Sequence, residues 1–203
     1  VIDELRLRPG EVAACIGPSG SGKTTMLDVI AGINRPESGR VVVGGHDLAG
    51  LDHIQRRGVR LREIGLVFQT LALVEYLTAY ENIMLPYFVE PGLNRDRKAA
   101  GRAKELAERL EISHLLKRRP RRLSQGERQR VAICRALVTS PRVLLCDEPT
   151  GNLDPARKER TIDLLLEAGR SSGAAVLMAT HDHSLLPRFD TVIDMASLGG
   201  VVS

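Results

Sequence analysis

Gly17-Pro18-Ser19-Gly20-Ser21-Gly22-Lys23-Thr24-Thr25 follows the apolar run Val12-Ala13-Ala14-Cys15-Ile16 and leads into the helix-patterned Met26-Leu27-Asp28-Val29-Ile30-Ala31. Strand, glycine-rich turn, Lys-Thr and helix in that order make a P-loop, and the arrangement predicts a nucleoside triphosphate with magnesium. Glycines let backbone N–H groups converge on phosphate oxygens where a Cβ would intrude. The helix that begins near Gly22 turns the positive end of its dipole toward the same anion. Lys23 is expected to reach the β- and γ-phosphates, and the Thr24 hydroxyl to ligate Mg2+. The alternative is a glycine-rich turn that binds nothing. The strand before the turn and the helix after it argue against that.

Working outward, strands alternate with helices. Ile2–Leu7 alternates apolar and charged residues as an edge strand does, and Arg40–Val43 and Ile64–Phe68 read as short strands. From about Thr78 to Leu137 the pattern is helical: Tyr80–Leu85, the long amphipathic Arg95–Leu110, a turn at Ile112–Leu116, and Gln125–Val138 with Ser124 as N-cap. Val143–Cys146, Ala174–Ala179 and Thr191–Met195 read as strands, with a helix over Arg157–Arg170. The pattern predicts an α/β fold: a P-loop core with a mostly parallel sheet covered on both faces, N-terminal antiparallel strands and an inserted helical subdomain. One domain over 1–203 is expected, its core at 1–69 and 123–203 and the helical subdomain at about 70–122.

Ligands of such sheets bind at the carboxyl ends of the strands. The P-loop, Asp147-Glu148 and Thr180-His181 each follow an apolar strand run directly. Asp147 at the tip of a buried strand suits magnesium, directly or through water. Glu148, pointing elsewhere, could polarise an attacking water as general base. Two capping carboxylates before a proline turn are the plainer alternative. Gln69, after Val67-Phe68, could ligate Mg2+ and orient the same water, although alone it is an ordinary polar residue. His181 could hydrogen-bond the γ-phosphate and the water; alone, a histidine at a strand end is more often a surface group. His183, two residues further on, is given no role.

A hydrophobic fraction of 43% and a charged fraction of 27% are those of an ordinary soluble globule, which fits one substantial core. No apolar run reaches membrane-spanning length, and Val1-Ile2-Asp3-Glu4-Leu5 lacks signal-peptide character. The expected location is therefore the cytosol, unless a partner holds the chain at a membrane. Cys15, Cys134 and Cys146 stand in no metal-ligand spacing and read as core fillers in a reducing compartment. The net charge of +4 is modest. Arginines cluster at Arg56, Arg57, Arg60 and Arg62 and again over Lys117–Arg122, but no aromatics interleave with them. Either cluster could face nucleic acid or anionic lipid, and a solvated or protein-facing surface is favoured over nucleic acid.

Leu123-Ser124-Gln125-Gly126-Glu127-Arg128-Gln129-Arg130 places a Ser and a Gly at a second helix start, a second anion site with its own dipole. One nucleotide cannot readily use both sites if they lie on opposite sides of the domain. A head-to-tail dimer, each P-loop facing the other chain's serine across a shared ATP, resolves this.

Together these residues resemble the nucleotide-binding subunit of ATP-binding-cassette (ABC) transporters over nearly the whole chain. Gly17–Thr25 is similar to the family's Walker A, Gln69 to its Q-loop glutamine, and Leu123–Glu127 to its signature. Val143–Glu148 is similar to Walker B with the catalytic glutamate, Asn152-Leu153-Asp154 to the D-loop, and His181 to the switch histidine. The resemblance implies that two copies close around two ATP and Mg2+. Ser124 and Gly126 would then contact the partner's γ-phosphate, and Asp154 would report across the dimer. It implies further that reopening drives a separate membrane permease through the helical lobe, with Gln69–Glu81 lining the groove for the coupling helix. The chain would be a peripheral protein at the cytoplasmic face of the cell membrane. Glu148–Asp154 and Tyr80–Pro86 most resemble the branch serving lipoprotein release, macrolide efflux and cell division.

Two features depart from the family. The signature reads Ser-Gln-Gly-Glu where Ser-Gly-Gly-Gln is commonest, so Gln125 adds a side chain and Glu127 a negative charge near the partner's triphosphate. The adenine-stacking aromatic would fall before Val1. Two other classes share some motifs. An ABC-type ATPase acting on nucleic acid, in repair or translation, usually carries coiled coils, zinc modules or a second cassette, and none is seen here. A P-loop kinase leaves Ser124–Glu127 without a task.

Overall fold

The computed structural model describes residues 2, 4–150 and 155–198. In chain order the elements are β1 (Val12–Ile16), α1 (Lys23–Ile30), β2 (Val42–Val43), β3 (His46–Asp47), α2 (His53–Glu63), β4 (Ile64–Phe68), α3 (Ala79–Ile83), α4 (Leu85–Val89) and α5 (Arg97–Arg109). There follow α6 (Gln125–Leu137), β5 (Val143–Asp147), α7 (Pro155–Ser172), β6 (Ala175–Ala179), β7 (Thr191–Asp194) and α8 (Met195–Leu198), with short 3-10 segments between some of them.

Five strands form one parallel sheet in the order β4-β5-β6-β1-β7. β1 is wholly buried, as a central strand covered on both sides must be. Its side chains alternate between two cores. Val12 and Ala14 join a cluster with Ile83, Leu106, Val131, Ile133 and Ile162, under α3, α5, α6 and α7. Ala13 and Cys15 join the other, with Met26 and Leu27 of α1 and Val59 of α2. Thus α1 and α6 cover opposite faces of the sheet. The register pairs Phe68 with Asp147, and Ala179 with both Asp147 and Cys15. The carboxyl ends of these four strands are therefore level, and the P-loop, Asp147-Glu148 and Thr180-His181 leave from one rim.

Several details differ from the sequence reading. Residues 2 and 4–7 belong to no strand. Leu5 and Leu7 pack against the α1-side core without a ladder, because alternation records which side chains face inward and not whether the backbone pairs. The antiparallel pair is instead β2 with β3, joined by the Gly44-Gly45 turn. The expected Tyr80–Leu85 helix is divided at Met84: Pro86 has no N–H to give Asn82 O, so one ladder stops and another begins.

α2 is an addition to that reading. Its four arginines hid a helix whose start is a capping box, Gln55 N donating to Asp52 Oδ1 at 2.8 Å and Asp52 N to Gln55 Oε1 at 3.0 Å. Three of these arginines are braces, and together the four make no open surface. Arg56 is buried, Arg60 donates to Ala31 O and Gly32 O past α1, Arg57 donates to Val89 O, and Arg62 pairs with Glu90 at 2.6 Å. The Lys117–Arg122 cluster is exposed apart from Pro120. The three cysteines are buried as core fillers, and burial pushes the Cys15 thiol up to about 11 and the Cys134 thiol to about 12.

Candidate nucleotide site

The loop after β1 is built from left-handed residues. Gly20 and Gly22 have φ of 82° and 90°, in a region where a Cβ is strained, and nothing lies within 4 Å of where a Cβ on Gly20 would stand. A Cβ on Gly17 would fall 2.6 Å from Ser21 Oγ. α1 begins at Gly22 with no side chain capping its first N–H groups, and Ser21 Oγ is buried without a hydrogen-bond partner. Pro18, Ser19 and Gly20 are exposed at the loop's crest, and Thr24 and Thr25 are exposed on the first turn of α1. Lys23 is only 7% exposed, and its Nζ donates to Gly17 O at 2.7 Å and Pro18 O at 3.0 Å. A row of uncapped donors beside a buried ammonium fits a polyphosphate.

Thr24 Oγ1 donates to Asp147, 3.1 Å from Oδ2 and 3.3 Å from Oδ1. A hydroxyl and a carboxylate facing each other are the hard oxygens Mg2+ takes beside phosphate, so the residues present also fit this ion. Burial holds the Asp147 carboxyl above its usual range, with the Glu148 and Asp28 charges adding to the rise and the Thr24 bond opposing it. That is the balance a nearby dication would reverse.

Glu148 has φ 43°, a left-handed value. Its N–H donates to Ala179 O at 3.1 Å, and its Oε1 lies 3.3 Å from His181 Nδ1. A carboxylate and an imidazole are thus paired at the rim, the geometry of a base and the group that orients it. Lys158 and Asp182 form an ion pair at 3.4 Å between α7 and the residue after His181.

Gln69 is exposed just past β4. Beyond it Leu71 and Ala72 take φ of 60° and 43°, and Arg135 of α6 donates to both of their carbonyls, at 2.7 and 2.6 Å. Asn82 closes the next turn by accepting from Val74 N and donating to Val74 O, Leu77 O and Thr78 O.

Ser124 caps α6. Its Oγ accepts from Glu127 N at 3.3 Å, while the Glu127 carboxylate accepts from Ser124 N at 2.7 Å. The charge introduced by Glu127 is therefore bound to its own helix start, and that backbone bond holds its carboxyl below the usual range. Gly126 lies in the first turn, with open space where a Cβ would be. Asp154 and the rest of its segment, 151–154, lie outside the described residues.

The structure thus brings Gly17–Thr25, Asp147, Glu148 and His181 together, puts Gln69 at the end of an adjacent strand, and leaves Ser124 and Gly126 on the helix of the opposite face. Arg135 and Gln129 were missed by sequence reasoning. The signal for Gln129 was a glutamine one helical turn before Ile133, on the apolar stripe of α6.

The fold and this rim define a P-loop nucleoside triphosphatase. The family model for ABC transporters matches residues 3–151, most of the chain, and the chain belongs to that family. It is 43% identical over 189 residues to the lipoprotein-releasing system ATP-binding protein LolD of Cereibacter sphaeroides, spanning 93% of this chain and 84% of that one. To the protein of the same name from Maricaulis maris it is 44% identical over 192 residues, 95% and 83% of the two chains. Among solved structures it is similar to the ATP-binding cassette MJ0796, dimeric and bound to ADP and Pi in a post-hydrolysis state. There the TM-score is 0.80 and the identity 35%, over 94% of this chain and 83% of that one. It is also similar to cbiO1 of Clostridium perfringens, part of the ABC transporter complex cbiONQ, with TM-score 0.81 and 30% identity over 94% and 75%. The protein is a magnesium-dependent ATPase cassette of the transporter type, and these relatives lend the nucleic-acid alternative no support.

Proposed function

We propose that two copies of this chain close around two ATP molecules and drive a separate membrane permease, with lipoprotein release as the branch of transport. The observation that carries this reading is the split between the two helix starts. The P-loop lies with the acid–base pair on the rim, whereas Ser124 heads a helix on the other face of the sheet. A second chain presenting Ser124 and Gly126 would complete the pocket, and Asp154 is given the role of reporting across that dimer. Among the described residues no helix is long and apolar enough to cross a membrane, which suits a subunit held peripherally at the cytoplasmic face by its permease.

In this reading Lys23 and the amides of Gly17–Gly22 bind and orient the triphosphate. Thr24, Asp147 and Gln69 would hold magnesium, which when bound neutralises phosphate charge. Glu148 accepts the proton of the attacking water, and His181, whose Nδ1 lies 3.3 Å from Glu148 Oε1, fixes the carboxylate's direction. Residues of about 70–122 form the helical lobe that carries the motion. Tyr76, 75% exposed in the segment after Gln69, is its most open apolar contact for a permease helix.

Glu148→Gln tests the assignment. Turnover should fall by about a hundredfold or more, while Mg-ATP should drive the variant into a dimer that persists in light scattering. Wild-type turnover in Glu148→Gln would contradict it.

A further inference from the structure

Gln129 sits on the second turn of α6, 2% exposed, inside a stripe of apolar neighbours. Its amide Nε2 donates to the carbonyl oxygen of Pro149 at 2.5 Å. Pro149 directly follows Glu148, whose left-handed backbone is a conformation that a non-glycine residue keeps only where its surroundings over-determine it. Among the described residues, His181 meets the Glu148 side chain and the following contacts hold its backbone and turn. Glu148 N–H is bonded to Ala179 O, Pro149 and Thr150 are buried, and Gln129 holds the Pro149 carbonyl. Of these, only the Gln129 bond reaches the turn from the helix that Ser124 caps.

We propose that Gln129 is a positioning residue for ATP hydrolysis, fixing the backbone from which Glu148 projects. The inference rests on Glu148 acting as the base. α6 then serves two nucleotides. Its N-cap, Ser124, faces the partner's ATP, and Gln129, five residues on, sets the base at the chain's own ATP. Closure on the partner and alignment of the base share one rigid element. A buried core amide would be satisfied equally by any carbonyl, whereas this one is spent on the carbonyl of Pro149, the residue next to the base. Loss of the donor leaves the Pro149 carbonyl without this bond and frees Glu148 to relax toward ordinary φ.

The test is Gln129→Met, which keeps length and apolar bulk and removes the donor. ATP turnover and ATP-driven dimerisation are measured on the whole chain. The predicted result is a kcat about tenfold lower, a KM for ATP within about twofold, and an unchanged ATP concentration at half-dimerisation, because the P-loop and Ser124 are intact. A folded Gln129→Met protein with kcat within twofold of wild type would overturn the proposal. So would equal loss of dimerisation and turnover, since Gln129 would then merely support Ser124. Should Gln129→Met not fold, Gln129→Asn, whose amide is withdrawn by one methylene, is predicted to show the same split. Failure of the wild-type chain to dimerise with Mg-ATP would instead contradict the proposed function itself.

Discussion

Lys23 gives its ammonium protons to Gly17 O and Pro18 O, carbonyls of the loop it belongs to. A phosphate entering the loop replaces those partners with a charge, and a charge-assisted bond is about twice as strong as a neutral one. Mg-ATP at about a hundred times its Kd should stabilise the wild-type chain by about 2.7 kcal/mol. Lys23→Ala should fold yet gain little from the same nucleotide, and thermal unfolding with and without Mg-ATP measures both. Strain at this scale marks the rim as well. Leu71, Ala72 and Glu148 hold left-handed backbones that cost about 1–3 kcal/mol each. These conformations are invisible in the sequence, since no glycine or asparagine announces them. The P-loop was legible because its donors are contiguous and its glycines are needed in place. Gln129 was not, because its partner carbonyl lies 20 residues away and only folding brings the two together.

Among the elements, strands and long helices were read from periodicity, and the misses came where periodicity was weak. α2 carries apolar residues among four arginines, so its helical face was masked, although Asp52 and Gln55 at capping-box spacing marked its start. Ile2–Leu7 shows the reverse, a strand pattern with no strand. α3 depends on its cap. Glu81 accepts from Thr78 N and Thr78 Oγ1, both at 2.7 Å, and Glu81 N donates to Thr78 Oγ1 at 3.2 Å. These bonds hold the Glu81 carboxyl below its usual value, with Arg119 adding to the effect. A carboxyl lowered by folding stabilises above its unfolded pKa, about 4.3, and that contribution disappears as pH falls through the lowered folded value. Thr78→Ala should therefore cost about 1 kcal/mol at pH 7. The cost should shrink below about pH 4 as Glu81 protonates. Urea midpoints of the two proteins at each pH measure the difference.

At the scale of the molecule, the sheet's two covered faces put the helix after the P-loop and the helix capped by Ser124 on opposite sides, and the proposed sharing of a nucleotide between two chains rests on that separation. Runs such as Val12–Ile16 and Ala175–Ala179, apolar throughout, made the central parallel strands legible. The level rim that gathers the P-loop, Asp147, Glu148 and His181 followed from strand ends alone. What no pattern supplied is the bond from α6 to the turn after Glu148, Gln129 Nε2 to Pro149 O. Mixing Lys23→Ala with Ser124→Ala chains tests the shared pocket most directly, with single-turnover ATP hydrolysis as the readout. Each variant alone is predicted to be inactive. The mixture should regain hydrolysis, because the intact P-loop of one chain meets the intact serine of the other. A mixture as inactive as its components, or a Ser124→Ala chain hydrolysing ATP at the wild-type rate by itself, would contradict a nucleotide held between two chains.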